Sequence, residues 1–582
     1  MVVHFLLPTV VGRRKCLANS CPSGSPVSKR SVFPGVVAPR SAKAGRNQRR
    51  KIMKDKQAIE EALGRRLLLG ENLARNARKF PDKEALIYGE TRLTYKQFNA
   101  RVNRLAHAFL ALGIKKGSKV AVLAFNCNQF MEAYFALAKI GGVAAPLNFR
   151  LAGEELIYIV NHSDAEAFIV GEAFVETVRG FQKDLPQVKN YISITDKPVE
   201  GMLHFESWIA KYPDDEPLIL VDEEDPVFIM YTAGTTGRPK GAVLTHKNEI
   251  VMWMIASSVV LSEPELGDVW NYKAFGAPPI FHLAAFGYCQ FVFFLGGTVV
   301  LPTEVFNPAY IMETIEKERI NTILLIPAMT FFLLQLPDLD KYDTSSLQVW
   351  ATGAAILPTE TRKQIMKHFP NVKIFDLFGQ TEMSPLVSAL RHSESQGRET
   401  SVGRALPFIE IRVVDDNDND VPVGTVGEAI YRGPTVMKEY YKNPEATAEA
   451  MRGGWFHSGD LVRQDEEGYL YIVDRKKDMI ISGAENIYPA EIEEVLYKHP
   501  KILECAVIGV HDEEWGESVK CCVVCKEGET MTEEEVVEYC KEHLASYKKP
   551  KSVDFMDALP RNPAGKVLKT VLREKYGKSV KY

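Results

Sequence analysis

The sequence predicts an α/β protein made of a large body followed by a smaller second unit. Three observations predict it. The chain has 582 residues, more than one hydrophobic core organises, so two or more domains are expected. From Glu71 onward, short runs rich in Val, Ile, Phe and Ala alternate with helical-period segments, the rhythm of strand–helix–strand units with parallel sheet content. At Asp474 the character changes sharply: charged over Asp474-Arg-Lys-Lys-Asp478, then apolar and small over Met479-Ile-Ile-Ser-Gly483. The expected organisation is a leader over 1–54, a large body over 55–473 and a small domain over 474–582.

The leader comes first. It holds no acidic residue before Asp55 but carries Arg13, Arg14, Lys15, Lys29, Arg30, Arg40, Lys43, Arg46, Arg49, Arg50, Lys51 and Lys54. Ser, Pro and Gly are frequent and no helical or strand period persists, so it cannot build a core and is expected to be disordered. Three readings stand: an organellar transit peptide, a basic arm for an anionic surface, or upstream sequence from a mis-assigned start, with Met53 opening the protein.

For the chain as a whole, 46 % hydrophobic and 25 % charged residues fit a soluble globular protein. A formal net charge of −4 argues against a general nucleic-acid binder. Nine scattered cysteines suit a reducing compartment. Cys522 and Cys525 form a lone CxxC inside a strand-like run and read as buried structural thiols. Ala274 to Thr303 has no charged residue apart from His282 and is long enough to span a bilayer. Pro278, Pro279, Gln290, Gly296 and Gly297 interrupt it. It reads instead as a loop, a buried helix near Ala284–Phe294 and a strand over Thr298–Leu301.

In the body, Glu71–Phe80 reads as an amphipathic helix, Glu84–Tyr88 as a strand and Gly89-Glu90 as a turn. Thr94 caps a helix carrying Tyr95, Phe98, Val102, Leu105 and Phe109 on one face. Val120–Phe125 is a strand, Phe130–Ile140 a helix ended by Gly141-Gly142, and Val143–Leu147 the next strand. The alternation continues through Ala167–Val170, Thr322–Ile326 and Leu347–Ala351. In the small domain Pro489–Tyr497 is helical, Glu504–Gly509 and Ser518–Val524 are strands, and Thr532 caps a helix through His543.

The stretch richest in chemistry is Tyr231-Thr-Ala-Gly-Thr-Thr-Gly-Arg-Pro-Lys-Gly241. An apolar strand, Pro226–Tyr231, leads into it. Gly234, Gly237 and Gly241 let a ligand approach the backbone. Thr232, Thr235 and Thr236 add hydroxyls, and Lys240 adds a cation. A polyanion needs such a set. A Gly/Thr-rich surface loop without a ligand is the alternative. The Walker pattern fails because Lys240 follows Pro239 and precedes Gly241. No two glycines anywhere are spaced by one residue, which removes the dinucleotide and protein-kinase loops.

Two further stretches sit at strand ends, where open α/β sheets bind ligands. They are Trp350-Ala-Thr-Gly-Ala-Ala-Ile-Leu-Pro358 and Phe375-Asp-Leu-Phe-Gly-Gln-Thr-Glu382. His282 lies in Pro279-Ile-Phe-His-Leu-Ala-Ala-Phe-Gly287, where a core histidine is the plain reading. In Ser458-Gly-Asp460 the carboxylate can accept from two vicinal hydroxyls, although Ser-Gly-Asp is also an ordinary turn. Near the C-terminus Gly565-Lys566 sits on a Pro-bounded loop.

In family order, these motifs resemble the adenylate-forming superfamily, and the chain is identified as resembling its acyl-CoA synthetases from Glu71 to about Tyr576. The resemblance implies a large N-terminal adenylate-forming domain with mixed sheets and a small mobile α+β C-terminal domain. It begins after Met53, which favours the mis-assigned start. It further implies that Thr232, Gly234, Thr235, Thr236, Gly237 and Lys240 hold phosphates. Gly353, Ala354, Ala355, Asp376, Phe378 and Gly379 would surround adenine, Phe378 replacing the Tyr of many relatives. Thr381 would donate to phosphate, Glu382 would hold Mg²⁺, and Asp460 and Arg475 would contact the nucleoside. His282 would border the acid's carboxylate. Lys477 would be the hinge, Ser482 and Gly483 would face the site during thioester formation, and Lys566 would be the adenylation lysine.

The implied reaction joins a carboxylic acid to coenzyme A through acyl-AMP, with ATP and coenzyme A as co-substrates. Phe286, Phe291, Ala355 and Met383 would line an acyl pocket, and a medium- or long-chain fatty acid is the favoured substrate. Aryl or alicyclic acids are the alternative, and after them an acyl-carrier-protein loader, a luciferase-like oxygenase or a non-catalytic nucleotide binder. No nucleic-acid partner and at most peripheral membrane contact are expected, with a homodimer left open. A cytoplasmic setting is expected, or an organellar one if the leader is a transit peptide.

Overall fold

The computed structural model describes residues 53–54, 56–232, 238–264, 266–476, 478–482, 485–512, 515–561 and 567–576. Of the leader expected over 1–54, only Met53 and Lys54 fall among the described residues. From Lys56 onward the chain forms one compact unit.

Local rules set the first elements. Thr94 accepts from the Gln97 backbone N–H while Gln97 returns the bond, a capping box that starts helix Tyr95–Ala111. Its apolar face, Tyr95, Phe98, Val102, Leu105 and Phe109, is fully buried. Helix Asn128–Ile140 stops at Gly141, whose φ of 70° suits a residue without Cβ. The strands expected from apolar runs form with ends shifted by one to three residues, among them Lys119–Leu123, Val143–Pro146 and Ala165–Gly171.

Two large sheets result. In one, nine strands run in the order 404–405, 388–390, 373–378, 349–353, 322–324, 273–275, 298–301, 84–88, 91–94. Its six inner strands from 84–88 to 373–378 are parallel and its outer strands antiparallel. The other has eight strands, ordered 439–440, 240–245, 226–232, 143–146, 119–123, 165–171, 190–194, 203–204. The two sheets share a core with helices Asn128–Ile140 and Leu283–Phe294. There Tyr134 stacks on Phe286 with ring centres 3.9 Å apart, and Phe228 meets both rings edge-on.

The apolar stretch from Ala274 to Thr303 divides as expected, into the end of strand Lys273–Phe275, a loop, helix Leu283–Phe294 and strand Thr298–Leu301. Among the described residues no helix is long and apolar enough to cross a membrane. A four-stranded antiparallel sheet (410–414, 426–432, 456–464, 470–475) follows. The C-terminal part then builds its own sheet around the long hairpin Ile502–Asp512 and Gly516–Cys525, packed by helices Pro489–Tyr497 and Glu533–His543. Cys522 is buried there as a free thiol and Cys525 is partly buried. The fold is therefore mixed α/β, with a large N-terminal domain and a smaller C-terminal one.

Candidate active site

The Tyr231–Gly241 stretch forms the connection of an antiparallel hairpin, not a crossover between parallel strands. Thr232, the last residue of strand Pro226–Thr232, is in register with Lys240, the first of Lys240–Thr245. Gly234, Thr235, Thr236 and Gly237, between them in sequence, lie outside the described residues. The short strand Glu439–Tyr440 pairs along Lys240–Thr245, and this pairing sets the Lys240 ammonium 5.2 Å from the centre of the Tyr440 ring.

Glu382 meets this hairpin. It sits in the 3₁₀ turn Thr381–Met383, beyond strand Lys373–Phe378, and is only 7 % exposed. Its Oε1 accepts from the Tyr440 hydroxyl at 2.9 Å and from Thr232 Oγ1 at 3.4 Å. Its backbone carbonyl accepts from the Met437 N–H at 2.7 Å. Burial, reinforced by the Glu382 carboxylate, pushes the Tyr440 phenol well above its usual range, so Tyr440 stays a donor at neutral pH. Thr232, Lys240, Glu382 and Tyr440 thus converge from three chain segments. Sequence reading missed Tyr440, because its only signal is a strand pairing that spans two hundred residues.

The nucleoside-binding candidates fall on two neighbouring parallel strands, Val349–Gly353 and Lys373–Phe378. Gly353 is in register with Leu377, and a Cβ on Gly353 would fall 2.5 Å from the Leu377 carbonyl oxygen. Gly379 crosses so near Pro385, Leu386 and Val387 that a Cβ there would overlap their backbone. Ala354, at φ 66°, and Ala355 follow on an exposed bend. Two strand ends therefore lie side by side with little side-chain bulk, and Phe378 is half-buried beside them. Asp376 is buried and ion-paired with Arg362. Burial raises its carboxyl pKa, partly offset by Arg362.

Asp460 and Arg475 are cross-strand partners in the four-stranded sheet. Arg475 Nε is 2.6 Å from Asp460 Oδ1, and Asp460 is 2 % exposed. His282 precedes helix Leu283–Phe294 as its N-cap residue without a side-chain cap. Its Nε2 is buried and has no hydrogen-bond partner among the described residues. Burial, with a smaller push from the Arg150 guanidinium, lowers its pKa to about 4, so the imidazole is neutral at pH 7. Phe281 packs on it with ring centres 4.3 Å apart. Ser482 ends strand Ile480–Ser482. Lys477, Gly483 and Lys566 lie outside the described residues.

The expected acyl wall is corrected in part. Phe286 and Met383 are fully buried in the core, Phe286 because Tyr134 and Phe228 enclose it. Phe291 does line an apolar cavity of about 50 Å³, between helices His246–Leu261 and Leu283–Phe294 and the nine-stranded sheet. Among the described residues no group of three or more His, Cys, Asp or Glu side chains could hold a metal ion. Glu382 offers a single hard carboxylate oxygen, the donor type that Mg²⁺ takes alongside substrate phosphates.

Residues 73–441 match the AMP-binding enzyme family and residues 491–566 its C-terminal domain. A feruloyl-CoA synthase of Amycolatopsis sp is 38 % identical over 511 residues, covering 88 % of this chain and 99 % of the relative. A long-chain-fatty-acid–CoA ligase of Mycobacterium tuberculosis is 37 % identical over 519 residues, covering 88 % and 99 %. Among solved structures, the anthranilate CoA ligase AuaEII with anthranoyl-AMP superposes with a TM-score of 0.81 at 26 % identity, covering 88 % of this chain and 97 % of that one. A Mycobacterium tuberculosis fatty acyl CoA synthetase does so at 0.70 with 34 % identity, covering 88 % and 98 %. The chain belongs to the AMP-binding, adenylate-forming enzymes and is an AMP-forming acyl-CoA synthetase.

Proposed function

We propose that this synthetase acts on a medium- or long-chain fatty acid. The observation that carries the chemistry is the convergence of Glu382, Thr232 and Tyr440 beside Lys240. The observation that favours an apolar tail is the cavity bordered by Phe291.

In the first step a carboxylate oxygen of the acid attacks the α-phosphorus of ATP, the new P–O bond forms, and the bond to pyrophosphate breaks. Little covalent work falls to the protein, so positioning and charge neutralisation supply most of the rate. Lys240, Thr232 and the loop residues Gly234, Thr235, Thr236 and Gly237 hold the phosphates. Thr381 donates to phosphate, and Lys566 meets the α-phosphate as charge builds there. Glu382 would hold Mg²⁺, which would supply neutralisation of phosphate charge. Tyr440 and Thr232 fix the orientation of the Glu382 carboxylate. Adenine lies on the flat surface of Gly353, Ala354, Ala355 and Gly379 against Phe378, with Asp376 nearby and oriented by Arg362. Asp460 accepts from the ribose hydroxyls and Arg475 contacts the nucleotide. His282, neutral and with a buried unpaired Nε2, borders the acid's carboxylate.

In the second step the coenzyme A thiol attacks the acyl carbon, the thioester forms and AMP leaves. Two chemistries in one site call for two arrangements. The small domain, expected over 474–582, turns about Lys477 and brings Ser482 and Gly483 to the site.

A second reading, an aryl acid as substrate, is favoured by the resemblance to feruloyl-CoA synthase and to the anthranilate CoA ligase. The deciding experiment is thioester formation, followed by mass spectrometry, from ATP, Mg²⁺, coenzyme A and acids from acetate to stearate plus benzoate and cyclohexanecarboxylate. Product from the longer unbranched acids supports the proposal. Product from ring acids alone overturns it in favour of the second reading. AMP and pyrophosphate without thioester mean a different acceptor.

A further inference from the structure

Thr232 and Lys240, in register on the phosphate hairpin, turn towards Glu382 and Tyr440. Neighbouring residues of a strand point to opposite faces, so Tyr231, one position earlier, faces the other way. There it meets helix Gly153–His162. Tyr231 Oη is 2.8 Å from His162 Nδ1, and the two rings cross edge to face with centres 5.8 Å apart. Burial raises the pKa of the Tyr231 phenol and lowers that of His162, so both groups are neutral at pH 7. A Cβ on Gly241, the register partner of Tyr231, would fall 3.2 Å from Tyr231 Cζ. The phenol ring therefore lies over the backbone of the returning strand.

The same helix reaches that returning arm directly. Tyr158 lies one turn before His162, their ring centres 5.3 Å apart. The Arg238 guanidinium sits 5.0 Å from the centre of the Tyr158 ring, within cation–π range. Tyr158 Oη is 3.5 Å from the Pro239 carbonyl oxygen. Arg238 and Pro239 immediately precede Lys240. Both arms of the hairpin, Tyr231 on one and Arg238-Pro239 on the other, thus rest on one helix. The helix is itself fixed: Leu156, Ile159 and Val160 are buried in a core shared with strands Lys119–Leu123 and Ala165–Gly171. Just beyond its end, Asp164 accepts from the Tyr441 hydroxyl at 2.8 Å and pairs with Lys442 at 2.6 Å. The Tyr441 N–H in turn donates to the Gly241 carbonyl at 2.7 Å.

We propose that Tyr158 and His162 are positioning residues of the adenylation step, which hold the phosphate hairpin from behind and set Lys240 against the pyrophosphate end of ATP. This rests on the acid–CoA ligase reading given above, in which Lys566 meets the α-phosphate and the hairpin holds the remaining phosphates. A charge stabilises a leaving group best when its support is already in place, because no reorganisation is then needed at the moment of reaction. The acyl-adenylate carries no pyrophosphate. Loss of this support should therefore impair the first step and spare the second.

The test compares wild type, Tyr158→Leu, Tyr158→Phe, His162→Leu and Tyr231→Phe as full chains, with thermal denaturation to establish folding. Two half-reactions are read separately: ATP–pyrophosphate exchange with octanoate, and thioester formation from synthetic octanoyl-AMP and coenzyme A. Benzoate and benzoyl-AMP replace them if wild type turns over only ring acids. Tyr158→Leu and His162→Leu should each raise KM for ATP and for pyrophosphate by about three- to tenfold, the scale of one modest contact. KM for the acid and the rate from the acyl-AMP should stay within about twofold of wild type, since neither involves the hairpin. Tyr158→Phe, which keeps the ring beside Arg238, should lie closer to wild type than Tyr158→Leu. Tyr231→Phe, which removes the bond to His162 from the other side, should shift KM for ATP in the same direction as His162→Leu. A merely structural role would lower the melting temperature and slow both half-reactions alike. Equal losses in the two half-reactions, or an unchanged KM for ATP in the folded variants, overturn this inference and leave the ligase reading standing. If the Leu variants do not fold, Tyr231→Phe decides by the same criterion. Absence of both half-reactions from wild type with every acid overturns the ligase reading and this inference with it.

Discussion

Arg475 Nε lies 2.6 Å from Asp460 Oδ1, across the register of two adjacent antiparallel strands. The carboxylate proposed for ribose is thus already oriented and neutralised by the guanidinium proposed for the nucleotide. Removing Asp460 would leave a half-buried cation without this partner. Asp460→Ala should therefore destabilise by about 1.5–3 kcal/mol, the range for a hydrogen bond to a charged group, and raise KM for ATP more than KM for the acid. Calorimetry and steady-state kinetics on the variant check both effects.

Glu382 has its Oε1 held by Tyr440 and Thr232. If the carboxylate serves Mg²⁺, Glu382→Ala should lower the adenylation rate at least about a hundredfold, comparable to losing one preorganised charge-stabilising group. Its activity should also require more Mg²⁺ for half-saturation. Tyr440→Phe removes one hydrogen bond to a charged acceptor, worth about 1.5–3 kcal/mol, and should produce a smaller loss of the same kind. Chelation should abolish the wild-type reaction and added Mg²⁺ restore it.

The buried carboxyl Glu249 should shape the pH profile of stability. Burial raises its pKa from 4.5 to about 8, so the folded state holds the proton that the unfolded state releases. The stability tied to that proton is fully present below pH 4.5 and is lost as pH rises through 8. His246 and His282 act oppositely. Burial lowers each to about 4, so their contribution is present above 6.5 and lost as pH falls towards 4. Glu249→Gln should flatten the fall in melting temperature between pH 5 and 8 and leave the acid limb in place. Thermal scans from pH 4 to 9 test this.

Gly353 and Gly379 should tolerate no side chain. A Cβ at either would meet neighbouring backbone, which cannot move aside as a flexible side chain can. Gly353→Ala and Gly379→Ala should each cost about 1–3 kcal/mol and raise KM for ATP, since the strand ends would splay where adenine is to lie. A variant with normal stability and unaltered ATP saturation would remove these residues from the nucleotide surface.

Much of this architecture was legible from local rules. The Thr94 capping box, the Gly141 stop and the division of the Ala274–Thr303 stretch follow from residues within a few positions of each other. The Tyr231–Gly241 stretch, the small residues at Gly353 and Gly379, and Asp460 could be singled out from their motifs, though not the hairpin that the first of them joins. Partnerships could not. Tyr440 reaches Glu382 through strand pairing, Arg362 claims Asp376 from a neighbouring helix, and Arg475 reaches Asp460 through register. Phe286 was misplaced because an apolar helical run looks the same whether it faces a cavity or a core. Only the rings packed against it, Tyr134 and Phe228, decide which.

The central claim is that an acid is activated as its adenylate before coenzyme A enters. The most direct measurement is ATP–pyrophosphate exchange by the full chain in the absence of coenzyme A, with and without a medium-chain acid, in wild type, Glu382→Ala and Lys566→Ala. Acid-dependent exchange is expected in wild type and lost in both variants, with AMP released once coenzyme A is added. Exchange that ignores the acid, or formation of ADP in place of AMP, would contradict it.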